Sequence, residues 1–184
     1  MAVAGAVLAG CLVPGSIRPV ATDQQDPRLD GLFARLQETR SPAEARVVEQ
    51  QIWRLWLESE DAAIDRLMAL GMAAMHEQDY VAALRVFDRM VEKAPDFAEG
   101  WNKRATVHYL MGDWRASVVD IQRTLELEPR HFGALFGLGL IYDALEQPEA
   151  ALRSYEATLE VNPHSQSTLL RVRELRRQLL RRPT

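Results

Sequence analysis

Pro95, Pro129 and Pro163 stand 34 residues apart, and a set of apolar and small residues repeats in step with them. Leu67, Trp101 and Leu135 keep the same interval, as do Leu70, Arg104 and Leu138. Gly71, Ala105 and Gly139 form a small-residue series, Ala83, Ser117 and Ala151 a second, and Phe87, Ile121 and Tyr155 a bulky one. A fixed period of this length means that one supersecondary unit is copied, which confines the chain to a stacked-repeat architecture. Within a copy the apolar residues recur at helical spacing. Leu67, Leu70, Gly71 and Ala74 make one stripe and Val81, Leu84, Phe87 and Val91 another, so each copy is two helices. The glycine series is expected where the two helices cross, with the Ala83 series opposite it. Each proline falls where the second helix must stop, because proline lacks the N–H and crowds the preceding turn. One such pair cannot bury its apolar face alone, so neighbouring copies must stack.

The three copies are Ile64–Phe97, Ala98–His131 and Phe132–Ser165. The third contains Leu138-Gly139, Tyr142, Ala151, Tyr155 and Pro163; the second Trp101, Ala105 and Pro129; the first Leu70-Gly71, Ala83, Phe87 and Pro95. This pattern resembles the tetratricopeptide repeat family, W-x-x-L-G-x-x-Y followed by A-x-x-x-F and P. Arg104 stands where the family has leucine, and Ala74 and His108 stand where it has tyrosine. The resemblance spans about 100 of the 184 residues. It implies an all-α chain, a right-handed α-solenoid of three tetratricopeptide-type helix pairs with helical caps at both ends. It also implies a protein-interaction role, with a peptide or helix held in a concave groove.

Outside the repeats, residues 28–63 read as an N-terminal helical pair, either a cap or a degenerate repeat. Ser41-Pro42-Ala43-Glu44 is a strong helix start, with a serine cap, proline first and glutamate three residues past the cap. Trp53 and Trp56 in its second helix are expected to cover the exposed flank of the first repeat. The alternative is a structural subunit that docks or oligomerises through this tryptophan-rich flank. Residues 166–184 read as a basic capping helix, with Leu169, Leu170, Val172, Leu175 and Leu179 turned to the last repeat. Its arginines are read as a solvated face, with anionic lipid as the other possibility.

Residues 1–27 read as a leader and linker. MAVAGAVLAGCLV is apolar and of the length of a secretory signal's hydrophobic region, roughly 7–15 residues. Leu8-Ala9-Gly10-Cys11 resembles a bacterial lipobox, which implies lipid on Cys11 and membrane attachment through it. A cleaved signal is the rival. Either places the chain in the bacterial cell envelope, as a periplasmic soluble protein or an anchored lipoprotein, with the cytoplasm as the less favoured location.

The chain carries a formal −4, but six arginines against one glutamate lie beyond Pro163, so the body before them is strongly acidic. An acidic body argues against nucleic acid, whose binding wants a basic face. A single cysteine rules out an intramolecular disulfide. His76, His108, His131 and His164 show no metal-ligand spacing, and no phosphate loop or nucleophile elbow occurs. No catalytic residues, metal or cofactor are expected. His131 and His164 read as turn residues and His108 as a core histidine.

The family's groove-facing positions fall on Asp65, Met68, Met72, Met75 and His76 in the first copy, and on Glu99, Asn102, Lys103, Thr106 and Tyr109 in the second. In the third they fall on Phe136, Leu140 and Asp143. Some family members clamp a C-terminal carboxylate with basic and asparagine side chains. Here Met68, Met72, Gly133 and Gly137 occupy those places, so an apolar or helical ligand is expected instead, since thioethers adapt to irregular partners. A groove filled by the chain's own flanking helices is the competing expectation.

Overall fold

The computed structural model describes residues 26–181, all of whose regular structure is helical. The helices are α1 (Arg28–Glu38), α2 (Pro42–Leu57), α3 (Ala62–His76), α4 (Tyr80–Lys93), α5 (Ala98–Leu110), α6 (Trp114–Leu127), α7 (Phe132–Ala144), α8 (Pro148–Val161) and α9 (Gln166–Leu180). Helices α3–α4, α5–α6 and α7–α8 are the three repeated pairs of the solenoid. Each turn between partners is closed the same way, by a 2.9 Å backbone bond from Asp79, Asp113 or Gln147 to the carbonyl of Ala74, His108 or Tyr142. That explains why alanine and histidine can stand at the tyrosine place: what the turn uses there is a carbonyl. The left-handed residue in each turn is Gln78, Gly112 or Glu146, again one period apart. Asp79 and Asp113 then cap the next helix through the N–H of Ala82 and Ala116. In the third copy Pro148 at the first turn of α8 replaces the side-chain cap.

Packing inside a pair follows the size of two residues. A Cβ on Gly71 would lie 2.5 Å from the Phe87 ring, and one on Gly139 would collide with Tyr155. Where the middle copy carries the smaller Ile121, it tolerates Ala105. The bulky series thus sits directly on the small series, in three successive cores around Phe87, Ile121 and Tyr155.

Arg104, standing in place of leucine, fills its position with charge. Its Nε and Nη2 donate to both oxygens of Asp120 at 2.8 and 2.7 Å, and Nη1 reaches Asp88 at 3.0 Å. The Trp101 ring covers the guanidinium at 4.8 Å. His108 is half-buried beside the same carboxylate, 3.8 Å from it, rather than in an apolar core.

The N-terminal pair caps the solenoid, but not along the flank of the first repeat. Leu29, Phe33, Leu36, Val48, Ile52 and Trp56 form a core whose repeat-side members are Phe132 and Val161. The hairpin therefore lies on the edge where the second repeat hands over to the third. Gln37 donates to the carbonyls of Glu160 and Val161, both at 2.7 Å, and Arg130 pairs with Asp30 at 2.7 Å. Only the end of α2 meets the first repeat, through Leu57. The reason is chemical: two indoles need flat partners, and His131 and Phe132 supply them. Trp56 is 1% exposed, so it is spent inside the chain and offers no surface for docking a second copy.

At the other end α9 covers the last pair with Val172 and Leu175, while Arg171 pairs with Asp143 and Arg176 with Glu156. Leu170, expected to face the last repeat, points outward instead. Five residues, or about 140° of helix, separate it from Leu175.

Candidate functional site

The first helices of the repeats, α3, α5 and α7, line the inner face of the solenoid. Between α5 and α7 a cleft of about 220 Å³ opens. Asn102, Thr106, Tyr109, Phe136 and Leu140 line it, five of the residues assigned to the groove from sequence. Its floor comes from below, from Ala105, Ser117 and Ile121, and Gly133 and Gly137 open space between the α7 side chains. Apart from the Tyr109 hydroxyl, the side-chain donors in this lining are engaged within the chain. Thr106 donates to the Asn102 carbonyl at 2.9 Å, Ser117 to the Ala105 carbonyl at 2.8 Å, and Asn102 to Glu99 at 2.9 Å. What remains for a ligand is mainly hydrocarbon and two aromatic rings.

The other assigned residues lie elsewhere. Met68 is buried in the first-repeat core with Ile64 and Phe87, and Leu57 packs against that cluster, so it is not a groove residue. Met75 packs on the same core, whereas Met72 is exposed. Asp143 faces the last repeat and α9, accepting from the Tyr155 hydroxyl and from Arg171, both at 2.7 Å. Desolvation, then this hydrogen bond to Asp143, pushes the Tyr155 phenol far above its ordinary range. Cys11 lies outside the described residues.

Lys103 belongs to a closed network at one end of the cleft. Its ammonium sits 2.8 Å from Glu99 and 5.6 Å from the centre of the Trp53 ring. Glu99 also takes the Nε2 proton of His131 at 2.8 Å, because His131 Nδ1 is occupied accepting the N–H of Ala134 as a helix cap. That assignment fixes the tautomer. Burial pushes the Glu99 carboxyl up, but the Lys103 charge and the His131 bond together outweigh it and hold the group below its ordinary value. His131 stacks on Trp56 at 4.1 Å and 10°, and Trp53 meets His131 and Phe132 edge-on.

Trp53 also covers Gly133, where a Cβ would lie 2.5 Å from the indole. One end of the groove is therefore filled by the chain's own hairpin while the cleft beyond it stays open. Sequence reasoning set Glu99 on the groove face and His131 in a turn, whereas both are buried and bonded to each other. A glutamate in a first helical turn and a histidine before a helix are each ordinary, and only the fold joins them across 32 positions. Although a carboxylate and an imidazole suggest acid–base chemistry, both are at most 1% exposed, which leaves no room for a substrate. Among the described residues no group of three or more His, Cys, Asp or Glu side chains could hold a metal.

A family model described as tetratricopeptide repeat matches residues 102–163. A TPR repeat-containing protein of Rhizobium etli is 37% identical over 143 residues, which cover 78% of this chain and 70% of the relative. An SGT1 homolog of Bos taurus is 33% identical over 101 residues, covering 55% of this chain but 30% of that longer protein. Among solved structures, the TPR2B domain of yeast Sti1 in its pHsp70 complex superposes with a TM-score of 0.59 at 18% identity. That match covers 64% of this chain and 99% of the domain.

Proposed function

This chain belongs to the tetratricopeptide repeat family, and from that premise and its open cleft we infer that it works by holding another protein. The observation that carries the reading is the cleft between α5 and α7, apolar in what it leaves free and walled by Tyr109, Phe136 and Leu140. Such a seat accepts apolar side chains presented by a helix or an extended peptide. The Sti1 domain is a peptide-complexed example of the fold. A carboxylate clamp is not the mode here, because Gly133 and Gly137 supply no cation and Gly133 lies under Trp53. The ligand is recognised by shape and apolar contact, without turnover.

The site of action in this reading is the bacterial envelope, where the chain scaffolds or tethers its partner. The apolar run Met1–Val13 and the lipobox-like Leu8-Ala9-Gly10-Cys11 within it support that placement.

Photocrosslinking in cells from Tyr109, with mass spectrometry of the adduct, tests the reading. A discrete partner protein that disappears with Phe136→Asp is the expected result. Crosslinks confined to the chain's own helices would refute it.

A further inference from the structure

The outer face of α9 is unlike the rest of the surface. Leu170 and Leu180 are 63% and 86% exposed, the two highest values for large apolar side chains among the described residues. Helical spacing sets Arg173 and Arg177 between them along the helix and away from the buried Val172 and Leu175, with Arg181 beside Leu180 and Glu174 near Leu170. About 15 Å separates the two leucines along the axis.

Helix α9 spends only part of its charge on the protein. Arg171 is taken by Asp143 and Glu174, and Arg176 by Glu156. For Arg173 and Arg181 no acidic partner is found among the described residues, and the Arg177 guanidinium donates only to the Arg173 carbonyl. The result is a face on which Arg173, Arg177 and Arg181 outnumber the one carboxylate of the helix, Glu174, with a leucine toward each end.

We propose that this face docks on an anionic lipid surface, with the leucines entering the headgroup boundary and the arginines engaging lipid phosphates and carboxylates. The combination of a cationic stripe with exposed aliphatic side chains is what an interfacial helix requires. A planar surface also suits the outer side of α9, whose inner side packs on α8. The acidic body then lies behind it, farther than the Debye length of about 8 Å over most of its extent. A long polyanion such as nucleic acid would have to run along that acidic body. Docking is on the membrane and not through it, since no helix among the described residues is long and apolar enough to cross one. The proposal is independent of what occupies the cleft between α5 and α7.

Co-sedimentation of the full chain with vesicles of phosphatidylcholine, with and without phosphatidylserine, tests it. The expected result is preference for phosphatidylserine vesicles. Arg173→Gln with Arg177→Gln lowers that binding roughly 25-fold, at about fivefold per charge. Leu170→Ser with Leu180→Ser weakens it at unchanged charge. These side chains are exposed, so circular dichroism of both variants stays that of the parent. The idea is overturned if phosphatidylserine gives no preference, or if neither double variant moves it. Loss with the arginine variant alone, with equal competition by a DNA oligonucleotide, would also overturn it by exposing a contact for any polyanion.

Discussion

Trp56 and His131 lie face to face, 4.1 Å apart and 10° from parallel, joining the N-terminal hairpin to the handover between the second and third repeats. The imidazole is held on both edges, by Glu99 on one and the Ala134 N–H on the other, so the indole rests on a fixed plate. Trp56→Ala removes the largest wholly buried side chain of the described residues and leaves the plate uncovered. We expect a loss of about 3–5 kcal/mol in urea unfolding, and a much smaller one for Trp56→Phe, which keeps a ring on the histidine. Equal losses for the two variants would mean that the stacked contact contributes little beyond volume.

Glu99 makes stability depend on acid in a definite direction. Its folded pKa is lower than its unfolded one, so the favourable contribution is complete above the ordinary carboxylate range and disappears as pH falls through the folded value. Lys103→Met removes the strongest of the influences that hold the carboxyl down, leaving burial to push it up. Near neutral pH that variant should lose on the order of 3 kcal/mol, the cost of a buried charge deprived of its partner. Its acid-unfolding midpoint should move to higher pH, read by circular dichroism across a pH series. An unchanged midpoint would show that His131 and Asn102 suffice to hold the carboxylate.

The small and bulky series make a reciprocal prediction. Gly139→Ala forces a methyl group against Tyr155 and should destabilise by about 1–3 kcal/mol through overpacking. Adding Tyr155→Ile copies the Ala105 and Ile121 pair of the middle repeat and should recover part of that loss. The hydroxyl bond to Asp143 goes with the tyrosine, so recovery stays incomplete. Thermal unfolding of the single and double variants reads the coupling, and simple additivity would refute it.

Arg104→Leu restores the family residue and should nevertheless destabilise, by roughly 3 kcal/mol, because it strands the buried Asp120. Combining it with Asp120→Val reproduces the Leu70 and Val86 pair of the first repeat and should return most of the stability. A double-mutant cycle in urea measures the coupling. A stabilising Arg104→Leu single variant would show that the ion pair is dispensable.

The 34-residue step made the repeated pairs and their crossing points legible, because the prolines act on the local backbone and Gly71 and Gly139 meet a bulky partner a fixed 16 residues on. The turns were half legible. Gly112 announces a left-handed residue, whereas Gln78 and Glu146 adopt the same conformation with no such sign. In the second and third copies Asn102, Thr106, Tyr109, Phe136 and Leu140 do line a cleft, whereas Glu99, Lys103 and Asp143 are drawn into ion pairs that helical spacing does not reveal. The groove reading failed at Met68, because the burial of that side chain depends on how the N-terminal hairpin folds back. Nothing local to Trp53 or Trp56 says that their partners lie beyond residue 130. Leu170 misled for a simpler reason, since apolar character alone does not say which side of a helix is covered.

The bond from Gln37 to the carbonyl of Val161 spans 124 positions, and with Asp30–Arg130 and Trp56–His131 it ties the hairpin to repeats that otherwise pack on their neighbours. A stack of repeats can fray or nucleate anywhere, each unit answering only to the next. Fastening the first helix to the end of the eighth turns such an open row into a loop. Its ends can no longer melt independently, and the closure adds long-range contacts that slow folding. Unfolding should therefore be cooperative across all three repeats, and cutting the chain between α2 and α3 should restore the gradual behaviour of an ordinary short array.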